Sequence, residues 1–189
     1  MIRTSVYVGV SVDGYIARPG GQVDFLDSAE PIDDDMGYGE FMASIDILVM
    51  GRNTYDWVVN MIATNEDVDW PYGETPVMVL THRALDVPPD LVDMVESTGL
   101  APRELLAEFR SRGFQHAYVD GGQTVQGFLR AGLIDELIIT QVPILIGQGI
   151  PLFGEIPDDV KMHHVDTTVF DNGCIQTHYR VLPSPTLQP

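Results

Sequence analysis

The sequence predicts an α/β protein with a mostly parallel sheet that is covered by helices and ends in an antiparallel hairpin. Short apolar runs alternate with helix-like segments along most of the chain, which is typical of parallel strands linked by helices. Near the end, two extended runs at 165–170 and 174–181 flank Asp171-Asn172-Gly173, which is a strong turn signal. The chain is 44% hydrophobic and 20% charged, as expected of a globular protein rather than a disordered one.

The first half of the chain begins with a predicted strand over residues 2–10, followed by a loop rich in glycine and proline. A helix is predicted over 33–44, because its acidic start suits the positive end of the helix dipole. Residues 45–50 form a short apolar run that is typical of a buried strand. A short helix over 52–60 follows directly.

The second half continues the alternation and adds three strands and two helices before the hairpin. The helix predicted over 102–111 carries Pro102 in its first turn, where the missing N–H group is not needed. The other predicted elements are a strand at 77–80, a strand at 117–119, a helix at 124–131 and a strand at 136–143. Ligands bind at the carboxyl ends of the strands in sheets of this kind.

The length of 189 residues fits a single domain, which we expect to span residues 1–182, with 183–189 as a disordered tail. The lone cysteine, Cys174, cannot form an internal disulfide. No apolar run approaches the roughly 20 residues of a membrane span, and the N-terminus lacks a signal-peptide core. We therefore expect a cytoplasmic protein without a membrane partner.

The formal net charge is −18, and Lys161 is the only lysine beside nine arginines. Such a surface repels nucleic-acid phosphates, so we expect no nucleic-acid partner. An arginine in a binding site would stand out against this acidic background. Metal binding is not expected either, because His163-His164 has no third ligand at a useful spacing.

Three junctions after predicted strands share one design. A glycine after a strand lets a phosphate approach the backbone, and the N–H groups that open the next helix complete an anion site. Each junction alone is weak evidence, but three of them in an arginine-poor chain predict phosphate binding. The junctions are Gly51-Arg52-Asn53-Thr54, Thr81-His82-Arg83 and Asp120-Gly121-Gly122-Gln123-Thr124.

Several segments carry a family resemblance. The run Ser11-Val12-Asp13-Gly14-Tyr15-Ile16-Ala17 resembles the opening of dihydrofolate reductases and of the reductase domain of riboflavin biosynthesis. The run Met50-Gly51-Arg52-Asn53-Thr54-Tyr55 resembles a segment of dihydrofolate reductases. Asp120-Gly121-Gly122, followed by residues 134–137 and 147–153, is similar to the C-terminal reductase domain of riboflavin biosynthesis and its bacterial relatives. The similarity runs from residue 2 to about residue 181, with the second group the closer. It implies the three-layer dihydrofolate-reductase-like fold and NADPH as cofactor.

The resemblance also implies roles for individual residues. Gly9 and Ile16 would contact the nicotinamide carboxamide through their backbones. The cofactor phosphates would lie against the three junctions, with the adenosine 2′-phosphate at the second. The implied cofactor-binding residues are Gly9, Ile16, Gly51, Arg52, Thr54, Thr81, His82, Arg83, Gly121, Gly122, Gln123 and Thr124.

On the substrate side, the resemblance places Asp35 near the acid that recognises the pterin in folate enzymes, and Thr140 at the threonine that supports it. A simpler interpretation is that Asp33-Asp34-Asp35 caps a helix. Thr140 has the same kind of alternative, because a β-branched residue is ordinary in a strand. Asp24 and Glu40 are rivals for the catalytic acid.

The function predicted from these features is hydride transfer from NADPH to a C=N or C=O group of a small heterocycle, such as a pteridine or pyrimidine. Two alternatives stay open: a 5-amino-6-ribosylaminopyrimidine reductase and a non-catalytic NADP-binding module. The Pro-Trp pair of the folate enzymes is missing, and their triple glycine is reduced to Asp120-Gly121-Gly122, so dihydrofolate is not the expected substrate. Apolar segments at 143–146 and 149–153 predict a homodimer.

Overall fold

The computed structural model describes residues 2–65 and 68–183, and its centre is an eight-stranded sheet with helices on both faces. A separate pair of very short strands lies beside it. The strands are β1 (Arg3–Ser11), β2 (Tyr15–Ala17), β3 (Ile47–Gly51), β4 (Val77–Leu80), β5 (Val95–Thr98), β6 (His116–Asp120), β7 (Glu136–Val142), β8 (Ile150–Pro151), β9 (Met162–Val169) and β10 (Ile175–Val181). The α-helices are α1 (Tyr38–Ala43), α2 (Arg52–Thr64), α3 (Pro102–Ser111) and α4 (Gly122–Arg130).

The strands of the large sheet follow the order β5-β4-β3-β6-β1-β7-β10-β9. The first six are parallel to one another. Strand β10 pairs antiparallel with both β7 and β9, so the chain does end in a hairpin at the sheet edge. The predicted mixed, mostly parallel sheet is therefore confirmed.

Two cores lie on the two faces of the sheet, which gives the three layers predicted. One packs α3 and α4 against the sheet, with Leu105, Phe109 and Phe128 fully buried. The other packs α1 and α2 against the opposite face, with Phe41 and Tyr55 at its centre. Strand β3 is buried on both sides, because it lies in the middle of the sheet, and this explains its continuous apolar run.

The predicted helix at 33–44 is wrong at its start, because α1 begins only at Tyr38. Met36 and Gly37 have φ angles of 57° and 84°, which lie in the left-handed region and interrupt any helix. Helix α2 extends to Thr64, beyond the predicted end at residue 60. The short strands β2, β5 and β8 were not predicted.

Within the part of the chain that the structure describes, no helix has both the length and the apolar character needed to cross a membrane. Of the predicted tail, residues 184–189 lie outside the described residues.

Candidate active site

The predicted phosphate-binding junctions lie side by side at one edge of the sheet. They follow β4, β3 and β6, which are neighbours, and β1 is the next strand in the same direction. Because parallel strands end at the same edge and are spaced about 4.8 Å apart, the four strand ends form a row roughly 14 Å long. A row of this length can contact several groups of an extended ligand in succession.

The turn at Gly121 is the most constrained part of this row. Gly121 has a φ of 87°, which strongly favours glycine. A Cβ atom there would lie only 2.5 Å from the Thr54 hydroxyl, and one at Gly51 would lie 3.0 Å from the Thr124 hydroxyl. Two hydroxyl groups therefore converge on bare backbone at the first turn of α4, where free N–H groups favour an anion.

The two predicted phosphate-binding arginines differ in their surroundings. Arg52 binds Asp56 through Nε at 2.6 Å and the Ala84 carbonyl through Nη1 at 2.9 Å. It therefore fastens the loop after β4 to helix α2. Arg83 lies on that loop, exposed, and it forms no ion pair within residues 2–65 and 68–183.

The rest of the loop after β4 is ordered by short-range contacts. The Thr81 hydroxyl accepts a hydrogen bond from the Arg83 N–H at 3.1 Å, and the His82 ring lies against Gly99. Both His82 and Gln123, the latter in the first turn of α4, are exposed. The cofactor roles of Thr81, His82, Arg83 and Gln123 stay predictions. The loop after β4 places the first three at the outer end of the row.

Two adjoining cavities open at the inner end of the row. The Asp120 cavity, of about 280 Å³, is lined by residues that include Ile16, Thr54, Gly121 and Gly122. The Asp35 cavity, of about 380 Å³, lies on the other side and is lined by residues that include Asp35 and Thr140. The two cavities share the walls formed by Tyr7, Gly9 and Leu26.

Tyr38, Tyr72 and Tyr118 lie near the carboxyl group of Asp120, which ends strand β6, and Tyr7 lines the same cavity. Tyr72 and Tyr118 line the Asp120 cavity with it. Tyr118 donates a hydrogen bond to the Tyr7 carbonyl at 2.7 Å, and the Tyr38 ring packs against the Tyr7 ring at 5.5 Å between centroids. The side chains come from separate parts of the chain, so only the folded protein brings them together.

Asp120 is the one carboxyl group of the site with a strongly shifted pKa. Burial raises its pKa to about 6, although a 2.7 Å hydrogen bond from the Gly121 N–H favours the ionised form. Part of its side chain still reaches the cavity. Burial and the nearby charge of Asp120 also raise the pKa of Tyr38 to about 12. A carboxyl group that is partly protonated near neutral pH can serve as a proton donor.

Asp120 lies in a turn that the sequence predicts to bind phosphate, and its role as an acid was not predicted. The signal was present, because a carboxylate directly before Gly121 and Gly122 would repel the phosphate expected there. That conflict is resolved when Asp120 points into the cavity while the glycine backbone faces the predicted anion site.

Asp35 has the opposite electrostatic character. Its two oxygens accept hydrogen bonds from the Gly37 and Gly39 N–H groups, both at 2.8 Å, and these bonds lower its pKa. The side chain is exposed at the mouth of the Asp35 cavity. Asp35 therefore holds the backbone at the start of α1 and also faces a cavity, so the two interpretations of this residue are compatible.

Thr140 is buried beside Asp35 and belongs to a polar network. The Gln176 Nε2 atom, which carries two hydrogens, lies within hydrogen-bonding distance of three acceptors: the Thr140 hydroxyl at 2.9 Å, the Tyr7 hydroxyl at 2.9 Å and the Met36 carbonyl at 3.1 Å. The Tyr7 hydroxyl donates to the same carbonyl at 2.6 Å. The network fixes the wall between the two cavities. The rivals Asp24 and Glu40 line neither cavity.

The raised pKa of Asp120 leads to a prediction about stability. Between its usual pKa and about 6, the folded protein binds more protons than the unfolded chain, so this group makes stability fall as pH rises. Asp120→Asn removes that loss. As pH rises from about 4 to about 8, we expect the free energy of unfolding of the variant to increase by up to about 2–3 kcal/mol relative to that of the wild type. Chemical denaturation measures both values. Asp158→Asn, at an exposed site, serves as control, and equal pH dependence in all three proteins would contradict the raised pKa.

The chain is similar to one protein family and to two bacterial proteins along most of its length. The family model described as the RibD C-terminal domain matches residues 5–176. The uncharacterised proteins YwjB and YyaP of Bacillus subtilis are 30% and 25% identical over 178 and 183 residues, each covering 94% of this chain and 97% and 94% of those proteins.

Solved structures show the same fold. A Shewanella sp. PV-4 protein, whose name connects it with riboflavin biosynthesis, is 38% identical with a TM-score of 0.88, covering 96% of this chain and all of that one. A pyrimidine reductase-like protein from Corynebacterium diphtheriae has 16% identity and a TM-score of 0.64, covering 97% and 93% of the two chains. A Thermotoga maritima deaminase and 5-amino-6-(5-phosphoribosylamino)uracil reductase has 14% identity and a TM-score of 0.70, covering 96% of this chain and 57% of that one.

Proposed function

Because this chain belongs to the RibD C-terminal domain family, a group of reductase-like domains, we propose that it is an NADPH-dependent reductase of a small heterocycle. The cofactor would lie along the row of strand ends, and the substrate would occupy the Asp35 cavity. The observation that carries the proposal is that Gly121 and Gly122 line the same cavity as Asp120, a carboxyl group with a pKa of about 6.

The cofactor-binding part of the proposal is supported by the turn at Gly121, whose φ of 87° favours glycine. At Gly122 the Pro151 carbonyl and Ile16 pack against the backbone, at 3.0 Å and 3.2 Å from a Cβ atom placed there. The Thr54 and Thr124 hydroxyls add donors beside the first turn of α4. Glycine backbone, hydroxyls and a helix N-terminus together suit a pyrophosphate group.

The chemistry needs a hydride and a proton. When bound, NADPH would supply the hydride, and the described residues would supply the remaining functions. Gly9 and Leu26 belong to the wall that the two cavities share, and the Leu26 side chain packs against the Gly9 backbone. Asp120 would donate the proton, because burial keeps its carboxyl group partly protonated. This acid favours an enzyme over a non-catalytic binding module.

For Asp35 we propose a role in orienting the substrate. Its lowered pKa keeps the group ionised, so it would accept hydrogen bonds from the substrate rather than donate a proton. Thr140, fixed by the Gln176 amide, retains a hydroxyl proton that can be donated in the same cavity. The predicted pair thus faces one cavity, and its part in turnover stays a prediction.

Cofactor choice provides the direct test. We expect NADPH to bind more tightly than NADH, because Arg83 is exposed at the outer end of the row and has no carboxylate partner within the described residues. A charge-assisted contact with the 2′-phosphate contributes about 1.5–3 kcal/mol, so Arg83→Ala should weaken NADPH binding roughly 10- to 100-fold and leave NADH binding unchanged. Titration calorimetry measures both dissociation constants.

The control for this experiment is Arg110→Ala, which removes an equally exposed arginine from α3. It should leave both dissociation constants as they are in the wild type. Equal affinity of the wild type for NADPH and NADH would contradict the proposed cofactor preference.

We also propose a homodimer through one uncovered part of the sheet. On the face that carries α3 and α4, a groove of about 380 Å³ lies over β7 and β10, and none of the described residues that line it is charged. Phe153, Met162 and Ile175 border the groove and are 47%, 42% and 39% exposed. In a chain with a net charge of −18, a patch without charge is where a second copy could approach without repulsion.

The apolar segments predicted to form the interface, 143–146 and 149–153, contain both exposed and buried side chains. Leu145 and Phe153 are exposed, whereas Leu152 belongs to the core. We expect the wild type to be a dimer by light scattering at micromolar concentration, and Ile175→Glu to be a monomer. Val92→Glu changes an exposed apolar residue that lies outside the groove and should remain dimeric. A monomeric wild type would contradict the proposed interface.

A further inference from the structure

The charged residues that line the two cavities of the site are all acidic in the part of the chain that the structure describes. The Asp35 cavity has four carboxylates in its walls, and the Asp120 cavity has one. Within the described residues, neither lining includes a lysine, an arginine or a histidine. The carboxylates are Asp27, Glu30, Asp34, Asp35 and Asp120.

The arginines beside these cavities in the sequence are already paired. Arg18 follows Ala17, a lining residue, and its Nε lies 2.7 Å from Asp24. Arg52 precedes another lining residue and is held by Asp56 at 2.6 Å. A substrate in the Asp35 cavity would therefore find no unpaired cation among the lining residues or these neighbours.

Three backbone donors at the mouth of the Asp35 cavity are already hydrogen-bonded to carboxylates. The Asp35 carboxylate accepts from the Gly37 and Gly39 N–H groups, and the Asp34 carboxylate accepts from the Met36 N–H at 2.6 Å. An anion would have to displace a carboxylate from these donors. Carboxylate oxygens therefore dominate the hydrogen-bonding groups that this mouth offers.

The amide of Asn172 offers little to an anion. Its Nδ2 donates to the Glu30 carbonyl at 3.2 Å, and its Oδ1 accepts from the Cys174 N–H at 3.1 Å. The Thr140 hydroxyl is one remaining donor in the lining of this cavity. A neutral hydroxyl such as that of Thr140 does not offset the repulsion between a phosphate dianion and four carboxylates.

We propose that the substrate is a non-phosphorylated heterocycle that presents amino groups or a positive charge to the Asp35 cavity. This inference rests on the proposed reductase function and specifies its substrate class. Amino and amidinium N–H groups match carboxylate acceptors, whereas recognition of a phosphate needs arginine, lysine or free backbone N–H groups. The substrate would thus differ in charge from the phosphoribosylamino compound named for the Thermotoga maritima protein.

Three simple pyrimidine compounds test the inferred preference for amino groups over phosphate. They are 2,4,6-triaminopyrimidine, cytidine and cytidine 5′-monophosphate, of which the last two differ only by the phosphate. Binding is measured by calorimetry on the free protein and on the protein saturated with NADPH. We expect triaminopyrimidine to bind, and cytidine to bind at least about tenfold more tightly than its monophosphate.

A double variant identifies the source of the preference. Asp27→Asn with Glu30→Gln removes two charges from the cavity wall, and Asp158→Asn with Asp159→Asn removes two from an exposed loop. The first pair should weaken triaminopyrimidine binding about 3- to 30-fold and narrow the difference between the two cytidine compounds, while the second should change neither. NADPH affinity should be the same in all proteins.

The outcomes separate the two proposals. If NADPH does not bind the wild type, the proposed function is wrong, regardless of which probes bind. If NADPH binds but triaminopyrimidine does not bind at millimolar concentration, the inferred substrate class is wrong. It is equally wrong if the monophosphate binds as tightly as cytidine, or if both double variants have the same effect.

Discussion

Replacing Asp120 with asparagine is expected to lower turnover about 100-fold or more, because general acid catalysis commonly contributes 10²- to 10⁴-fold. Asparagine keeps an oxygen that can accept the hydrogen bond from the Gly121 N–H, so the affinity for NADPH should stay close to that of the wild type. The rate of NADPH oxidation is measured with whichever pteridine or pyrimidine the wild type reduces.

The pH dependence supplies a second signature of the same acid. Because the protonated form of Asp120 would be the donor in the proposed mechanism, kcat/KM of the wild type should fall as pH rises through about 6. The asparagine variant should not show this fall in kcat/KM. If Asp120 had only a structural role, the substitution would change the amount of folded protein, but kcat/KM would keep the same dependence on pH.

Asp35→Asn is the matched comparison, because it neutralises the carboxylate of the neighbouring cavity. We expect it to raise KM more than it lowers kcat, as befits a group that orients the substrate. If Asp35→Asn abolishes turnover while Asp120→Asn retains it, the proton donor is Asp35 and the assignment to Asp120 is wrong.

The parts of the fold that the sequence predicted depend on local patterns. The buried run of β3, the proline at the start of α3 and the turn of the final hairpin are each contained within a few residues. The start of α1 could not be predicted in this way. It depends on the left-handed backbone at Met36 and Gly37, and Met36 is a residue type that rarely adopts that conformation.

The residues of the site show the same difference between local signals and long-range contacts. Gly121 and Gly122 predict a strand-to-helix turn from the sequence alone, and the structure places this turn in the row of strand ends. The tyrosines around Asp120 carry no such local signal. Tyr7 lies in β1, Tyr38 in α1, Tyr72 before β4 and Tyr118 in β6. Their convergence, and with it the raised pKa of Asp120, follows only from the strand order.

The conformation of Gly121 predicts a second large effect, on cofactor binding. Alanine at this position must adopt a φ of 87°, which costs on the order of 1–3 kcal/mol, and its methyl group would lie 2.5 Å from the Thr54 hydroxyl. The methyl group would also cover backbone that we propose faces a phosphate. We therefore expect Gly121→Ala to weaken NADPH binding by about 100-fold or more, measured by calorimetry on folded protein.

Gly113→Ala distinguishes the lost binding surface from backbone strain. Gly113 has a φ of 91°, and a Cβ atom there would meet nothing within 4 Å. This residue lies between α3 and β6, at the opposite end of β6 from Gly121. The two variants should therefore share the loss of stability caused by strain, but only Gly121→Ala should lose affinity for NADPH. Equal dissociation constants in the two variants would mean that the phosphates bind elsewhere, because strain alone does not depend on which end of the strand it affects.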